Sequence, residues 1–529
     1  VGNAGAAGPS VLAALGPDEV ASGYFLHLSD MHLDPWYNGS IGPACFCNSY
    51  ELQTEWCQRH STCSPSSCPG SGTGNRFGQR GCDVPPAMMH AALRAAAARA
   101  PPGGYDWVLL TGDYSRHKIA RLDPAVRRNA VRSIIRQVTE AVRQHFPDAR
   151  VHHTNHEFAL DVPTLGNDDY EKNYDNGEAK ITHNPAWFAK LLGFLFPGQA
   201  AIDNGVAAAG LAAEHPMGLA AESGAAHERG TWAKGGYFMR RLNKHFFLIS
   251  LNTVIYSTGH KWSGPVPRDP FGQLAWFRRS LRRVASMRKG GESVRALIIG
   301  HIPPTPDHFY FERQWRDEFE AEYASIVEEY AFVVAGQLYG HLHQDTFRFM
   351  PSSRMEQPLY VSGGVSPIFE NNPSFRVWRY DKDGLKDFSV YGARLNRTAP
   401  QERCDFHKSY SALDLWGLKN LSASEWHSKV SGLMLRNDSK WADYINALWL
   451  RSAGAERAGF LHSQAFRAQA FCAIEHPRPE EFAECVATAQ PAQPSGAQLA
   501  SVGSPTRAPA EESLTAWTFA EPPSHVKIV

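Results

Sequence analysis

Short apolar runs, each closed by polar residues or glycine, recur along the first three-quarters of the chain. Tyr24–Leu28, Tyr105–Thr111, Phe158–Leu165, Phe246–Leu251, Ala296–Gly300 and Ala331–Gln337 have the length of buried strands. Further strands are predicted near Leu359–Ser362, Phe375–Tyr380 and Phe388–Tyr391. Between these runs the apolar residues fall at helical spacing. Pro85–Ala100 is alanine-rich and reads as a helix. Asp123-Pro124 offers a cap and a first-turn proline to a helix carrying Val131, Ile134, Ile135, Val138 and Val142 on one side. Gln273–Arg288 places Leu274, Phe277, Leu281 and Val284 together, with arginines opposite. Strands alternating with helices predict an α/β core. After about Thr398 the pattern turns helical. The organisation expected is an extension over 1–23, a core over 24–397 with a Cys-rich loop at 38–83, a helical segment over 398–486, and a disordered Pro/Ala/Ser/Gln-rich tail over 487–529. A Gly/Ala-rich stretch at about 199–230 reads as an insertion or a mobile loop.

Composition narrows the function classes. Lys plus Arg and Asp plus Glu both number 53, so no net charge argues for a nucleic-acid partner or a polybasic membrane binder. No apolar run reaches the ~20 residues of a membrane span. At most peripheral membrane contact is expected, and the chain is expected to be a monomer. It opens at Val1, so any signal peptide is expected upstream. Six of the nine cysteines lie between Cys45 and Cys82, and N-x-S/T sequons stand at Asn38, Asn396, Asn420 and Asn437. The cysteines could bind zinc or form up to three disulfides, whose pairing the sequence leaves open. Cysteines and sequons together favour a secreted protein or one of a lysosomal or vacuolar lumen. Arg278, Arg279, Arg282, Arg283, Arg288 and Lys289 form a basic helix face, read as the solvated side of an outer helix.

Metal-binding residue types follow the apolar strands one after another. Asp30 and His32 come first, then Asp113, Asn167, His301, and finally His341 and His343. Loops at strand ends are where an α/β scaffold builds its site. Two carboxylates, one amide oxygen and four imidazoles suit two divalent ions sharing a carboxylate. Imidazole plus carboxylate favours zinc, iron or manganese over magnesium or calcium. A rival for the amide position is Asn155-His156-Glu157, which follows polar His152-His153. Gly166-Asn167 follows Val162-Pro163-Thr164-Leu165 and has the better context.

With these residues in hand the sequence resembles the calcineurin-like metallophosphoesterases, in particular the acid sphingomyelinase and sphingomyelinase-like phosphodiesterase branch. The matching segments are Ser29-Asp30-Met31-His32, Thr111-Gly112-Asp113 with Arg116-His117, Gly166-Asn167, Gly300-His301-Ile302-Pro303-Pro304 and Gly340-His341-Leu342-His343. Cys82-Asp83-Val84-Pro85 and Asn372–Val377 add to them. The resemblance implies a two-sheet sandwich flanked by helices, with a small C-terminal helical segment. It implies zinc in first place, with one ion on Asp30, His32 and His343, a second on Asn167, His301 and His341, and Asp113 bridging. It implies a Cys472–Cys485 disulfide and leaves Cys404 odd. The reaction implied is hydrolysis of a phosphodiester, in a small-molecule or lipid substrate, by a hydroxide generated between the ions. Where the family carries Asn-His, with the histidine a proton donor, this chain has Asn167-Asp168. An aspartate beside two cations should have a lowered pKa and donate poorly, so His117 is the better donor. Endopolyphosphatases share Gly-Asp-x-x-Arg-His and also lack that histidine, which keeps polyphosphate and nucleotide phosphoanhydrides open as substrates. An impaired relative that only binds phosphorylated ligands is the reading from another class.

Overall fold

A computed structural model of the chain describes residues 22–49, 72–147, 161–170, 173–175, 188, 191, 224–262, 264–350, 358–396, 400–452, 461 and 463–489. The terminal extension, the tail, Cys57, Cys63, Cys68, His152, His153 and Asn155–Glu157 lie outside these residues, as does the expected insertion up to residue 223. From Gly224 that stretch is helical, Gly224–Gly235.

Two six-stranded sheets form the core. In the first, β1 (Ser22–Leu28), β2 (Trp107–Leu110) and β3 (Asp161–Pro163) run parallel. On the other side of β1 the antiparallel β10 (Ser374–Asp381), β11 (Gly384–Gly392) and β12 (His407–Ser411) complete it. In the second, β5 (Phe246–Ser250), β6 (Arg295–Ile299), β7 (Val334–Tyr339) and β9 (Leu359–Val361) are parallel, with β4 (Phe238–Arg241) and β8 (Thr346–Arg348) antiparallel at the edges. The central strands are buried along their whole length, as the unbroken apolar runs require when both faces are covered.

Aromatic rings from the facing strands meet between the sheets. Phe246 of β5 lies 5.3 Å from Tyr380 of β10, and Tyr360 of β9 lies 5.1 Å from Trp378 of β10, both edge to face. Helices α1 (Pro86–Ala97) and α2 (Pro124–His145) flank the first sheet, and α3 (Gly224–Gly235) leads into β4. Helices α4 (Gln273–Lys289) and α5 (Asp317–Glu329) flank the second. Arg278 of the basic α4 face pairs with Glu322 and Glu329 of α5, consistent with a solvated outer helix. A distinct C-terminal helical region includes α6 (Asp438–Leu448), α7 (Gln464–Glu475) and α8 (Pro479–Ala489). It docks on the edge of the second sheet, where the Phe349 N–H donates to the Ile474 carbonyl at 2.8 Å.

The two-sheet architecture with its helical C-terminal region agrees with expectation. Three local readings change. Ala331–Val333 is a 3-10 turn and the strand begins at Val334. The helix α5 and the short edge strands β4 and β8 were not predicted. The boundary expected at 397 falls inside the first sheet, because β12 pairs with β11 beyond it. Cys47 is disulfide-bonded to Cys82, and Cys472 to Cys485 across α7 and α8. Cys45 is also in a disulfide, and Cys404 is a buried free thiol. All four sequon asparagines are exposed.

Candidate metal centre

Every parallel strand that carries a candidate ligand ends at the same rim. The pairings Leu28↔Leu110↔Pro163 and Ile299↔Leu338 bring the following loops level. The loops then turn sharply. Asp30, His32, Asp113, His341 and His343 have φ of 49°, 39°, 55°, 71° and 57°. A left-handed backbone costs an L-residue roughly 1–2 kcal/mol, and such strain clusters where function over-determines the conformation. Cross-ties hold the turns: the Asp30 N–H donates to the Gly112 carbonyl (3.1 Å) and the His32 N–H to the Asp113 carbonyl (2.9 Å). Gly112 and Gly340 must be glycine. A Cβ on Gly112 would meet the Gly166 backbone nitrogen at 2.6 Å, and one on Gly340 would strike Ser29 and Asp30.

The structure brings all seven predicted ligands together. Asp113 Oδ2 lies 3.3 Å from His32 Nε2 and 3.1 Å from His301 Nε2. His343 Nε2 is 3.5 Å from Asp30 Oδ1 and 3.2 Å from His32 Nε2. Asn167 Oδ1 is 3.1 Å from His301 Nε2. Asp30, His32 and Asp113 offer ligand atoms within 4.8 Å of one another, and so do Asp113, His301 and His341. Asp113 is common to these two groups, and a third, His32, His117 and His343, shares His32 with the first.

The outer partners of the imidazoles fix which nitrogen faces the centre. Nδ1 of His32, His301 and His343 donates to the carbonyls of Ser115 (2.8 Å), Thr111 (2.7 Å) and Ser366 (3.2 Å). Their Nε2 lone pairs are therefore free to bind a cation. His341 is turned the other way. Its Nε2 meets Tyr174 Oη and Gln314 Oε1, each at 3.1 Å, which leaves Nδ1.

The local charge also fits two cations. Asp30, Asp34, Asp83, Asp113, Asp168 and Asp169 are all buried here, with the Arg116 guanidinium buried beside them, its Nε 3.7 Å from Asp34. Burial raises Asp30 to about 6, with the Asp113 charge adding to the rise. Burial alone would lower His32, but the Asp113 charge and hydrogen bond override it and push it up to about 10. A site whose own field draws protons onto buried groups is short of positive charge. Two divalent ions would supply it.

Four further residues matter, and sequence reasoning assigned a role to only two of them. Asp169 accepts the N–H groups of Asp113, Tyr114, Ser115 and Gly166 at 2.8–3.1 Å, holding the turn that presents Asp113. Its signal was an acid three residues past Gly166, at a position that can reach back to the backbone. Asp83 accepts from the His117 N–H (2.8 Å) and from Nδ1 (2.9 Å). His117 lies in the cleft, stacked on His32 at 3.8 Å, with Nε2 3.8 Å from Asp168 Oδ2. Asp168 is fully buried, and burial followed by the Asp113 charge pushes it well above the usual carboxylate range. The protein's own field thus acts against the downward shift expected from cations alone.

Tyr174, Asp307, Phe309, Gln314 and Phe369 line the rest of a cleft of about 480 Å³, counting its open mouth. Among the described residues no lysine or arginine lines it.

No family model matches the chain. It is similar to sphingomyelinase phosphodiesterase D of Dictyostelium discoideum, 28% identical over 181 residues, 33% of this chain and 40% of that protein. It is also similar to human acid sphingomyelinase-like phosphodiesterase 3b, 26% identical over 440 residues, 79% of this chain and 81% of that one. An endopolyphosphatase of Schizosaccharomyces pombe is 24% identical over 379 residues, 67% of this chain and 54% of that one. The chain thus combines a two-sheet core flanked by helices with clustered aspartates and histidines that form a candidate dinuclear-metal site. In this fold the ligand groups sit at the common rim of the two sheets, and His32 and His301 both approach Oδ2 of Asp113.

Proposed function

We propose that this chain is a metal-dependent hydrolase of phosphodiester bonds, akin to the acid sphingomyelinase-like phosphodiesterases. The sharing of Asp113 between two imidazole-containing groups carries this reading. Asp30, His32 and His343 would hold one ion, and Asn167, His301 and His341 the other, with zinc the first choice and iron or manganese the alternatives. Two such ions lower the pKa of water and neutralise charge on phosphoryl oxygens. The chain's own contribution to the leaving group is His117. Its Nδ1 proton is held by Asp83, whose charge supports the imidazolium, and Nε2 faces the cleft to give a proton to the leaving oxygen. Asp168 lies close by as a competing donor.

Endopolyphosphatase activity is the second reading, favoured by Asp168 after the asparagine and by the yeast relative. The carboxylate-lined cleft, without a described cation, speaks for phosphodiesters. The disulfides and exposed sequons support an oxidising lumen, secreted or lysosomal. The test is a panel of bis-p-nitrophenyl phosphate, sphingomyelin, ATP and polyphosphate at pH 5 and pH 7 with added zinc. Turnover of the diesters supports the proposal. Turnover of polyphosphate alone favours the second reading. No turnover with metal bound would leave only a phospho-ligand binding protein.

A further inference from the structure

A line of buried polar side chains runs from Asp30 into the core between β1 and β2. Ser29 Oγ donates to Asp30 Oδ2 at 2.5 Å, and Thr111 Oγ1 donates to Ser29 Oγ at 2.7 Å. His27 Nε2 lies 2.9 Å from Thr111 Oγ1. None of the four is more than 3% exposed. Each hydroxyl has one proton. Thr111 uses its proton on Ser29 and Ser29 uses its own on Asp30, so His27 must supply the donor through Nε2–H. The other ring nitrogen agrees. His27 Nδ1 is buried without a hydrogen-bond partner, and an unprotonated nitrogen costs less there than an N–H lacking an acceptor. Burial, then the nearby Arg376 charge, keeps this imidazole neutral.

We propose that His27, Thr111 and Ser29 form a one-way hydrogen-bond relay that sets Asp30 as a metal ligand through a single oxygen. The relay turns Oδ2 into the protein. Oδ1 faces the imidazoles of His343 (3.5 Å) and His32 (4.0 Å). The His341 N–H reaches both oxygens, Oδ1 at 3.0 Å and Oδ2 at 3.1 Å, so it does not distinguish them and the hydroxyl relay does. Thr111 also orients His301 on the other side of Asp113 through its carbonyl. One residue therefore acts on both halves of the site by different groups, its hydroxyl on Asp30 and its backbone on His301. These three are positioning residues. The inference rests on the reading of Asp30 as a ligand.

Stepwise metal binding of the intact chain, measured by competition with a fluorescent zinc chelator, tests the relay without any turnover. Thr111→Val keeps the carbonyl and removes the hydroxyl. It should weaken one of the two ions about tenfold, the usual cost of losing an outer partner, and leave the other unchanged. His27→Leu should weaken the same ion. His27→Gln, which keeps a donor, should restore binding to within about threefold. Unaltered binding in Thr111→Val and Ser29→Ala would overturn the relay. So would a His27→Gln protein as weak as His27→Leu, because packing would then explain the loss. A parent protein that binds no divalent ion would overturn the functional reading itself, and the relay with it.

Discussion

The two sheets bring different chemistry to one rim. The first supplies both candidate carboxylate ligands, Asp30 and Asp113, with His32 and Asn167. The second supplies only imidazoles, His301, His341 and His343. Their supports differ as well. The first-sheet ligands are braced largely from within their own layer, by Asp169 on the turn after β2 and by the hydroxyls behind Asp30, with the His341 N–H adding one tie to Asp30 from the second sheet. The second-sheet ligand His301 is oriented from across the interface, by the Thr111 carbonyl. Negative charge is thus concentrated in one layer and neutral donors in the other. Neither layer alone has the donor set for two ions, so the site exists only where the layers are docked.

Substitutions on the two sides should therefore behave unequally. The largest effect is expected from Asp113→Asn, which weakens the shared ligand. It should lose both ions by elemental analysis and bring activity to background. His341→Ala on the second sheet should lose only one ion; loss of both would show that the layers are not separable in this way. Next, His117→Ala should lower turnover by about 10² to 10⁴, the range for a general acid, with metal content unchanged. A larger loss from Asp168→Ala than from His117→Ala would reassign the donor.

The companion change Asp83→Asn tests the same pair by pH. An acid works while protonated, so rate falls as pH rises through the pKa of His117. Burial and then the His32 charge lower that pKa, and the Asp83 charge opposes them. Removing the charge should move the descending limb of the rate profile to lower pH. Asp169→Asn should cost about 10–100-fold in metal affinity through the loosened Asp113 turn. Smallest is Tyr174→Phe, which removes one hydrogen bond from His341 and should cost about 0.5–1.5 kcal/mol of metal affinity.

Much of this was legible in the sequence, for a physical reason. A strand buried on both faces must be an unbroken apolar run, and the turn after it must be polar or glycine. The order Asp30, His32, Asp113, Asn167, His301, His341, His343 could be read off that punctuation. What escaped is held by contacts that leave no periodic trace. Asp169 reaches backbone groups 54 to 56 positions earlier in the chain. Tyr174 and His341 stand 167 positions apart. The edge strand β12 is largely exposed and polar, so its alternation was too weak to separate it from the helical region that follows. The helix α5 is the exception, missed although Phe319, Tyr323, Ile326 and Val327 stand at helical spacing and are buried.

His32 and His343 touch across 311 residues of chain. Synthesis at about 5–20 residues per second leaves roughly 15–60 s between the two reaching the outside of the ribosome. Through that interval His32 of the first sheet exists without His343 of the second, and contacts of such high sequence separation form late in folding. A cation arriving early would find the first-sheet donors without those of the second. A complete cage for two ions would therefore form only once folding brings the second-sheet ligands to the first, and its timing would be set by how far apart in the sequence those ligands lie.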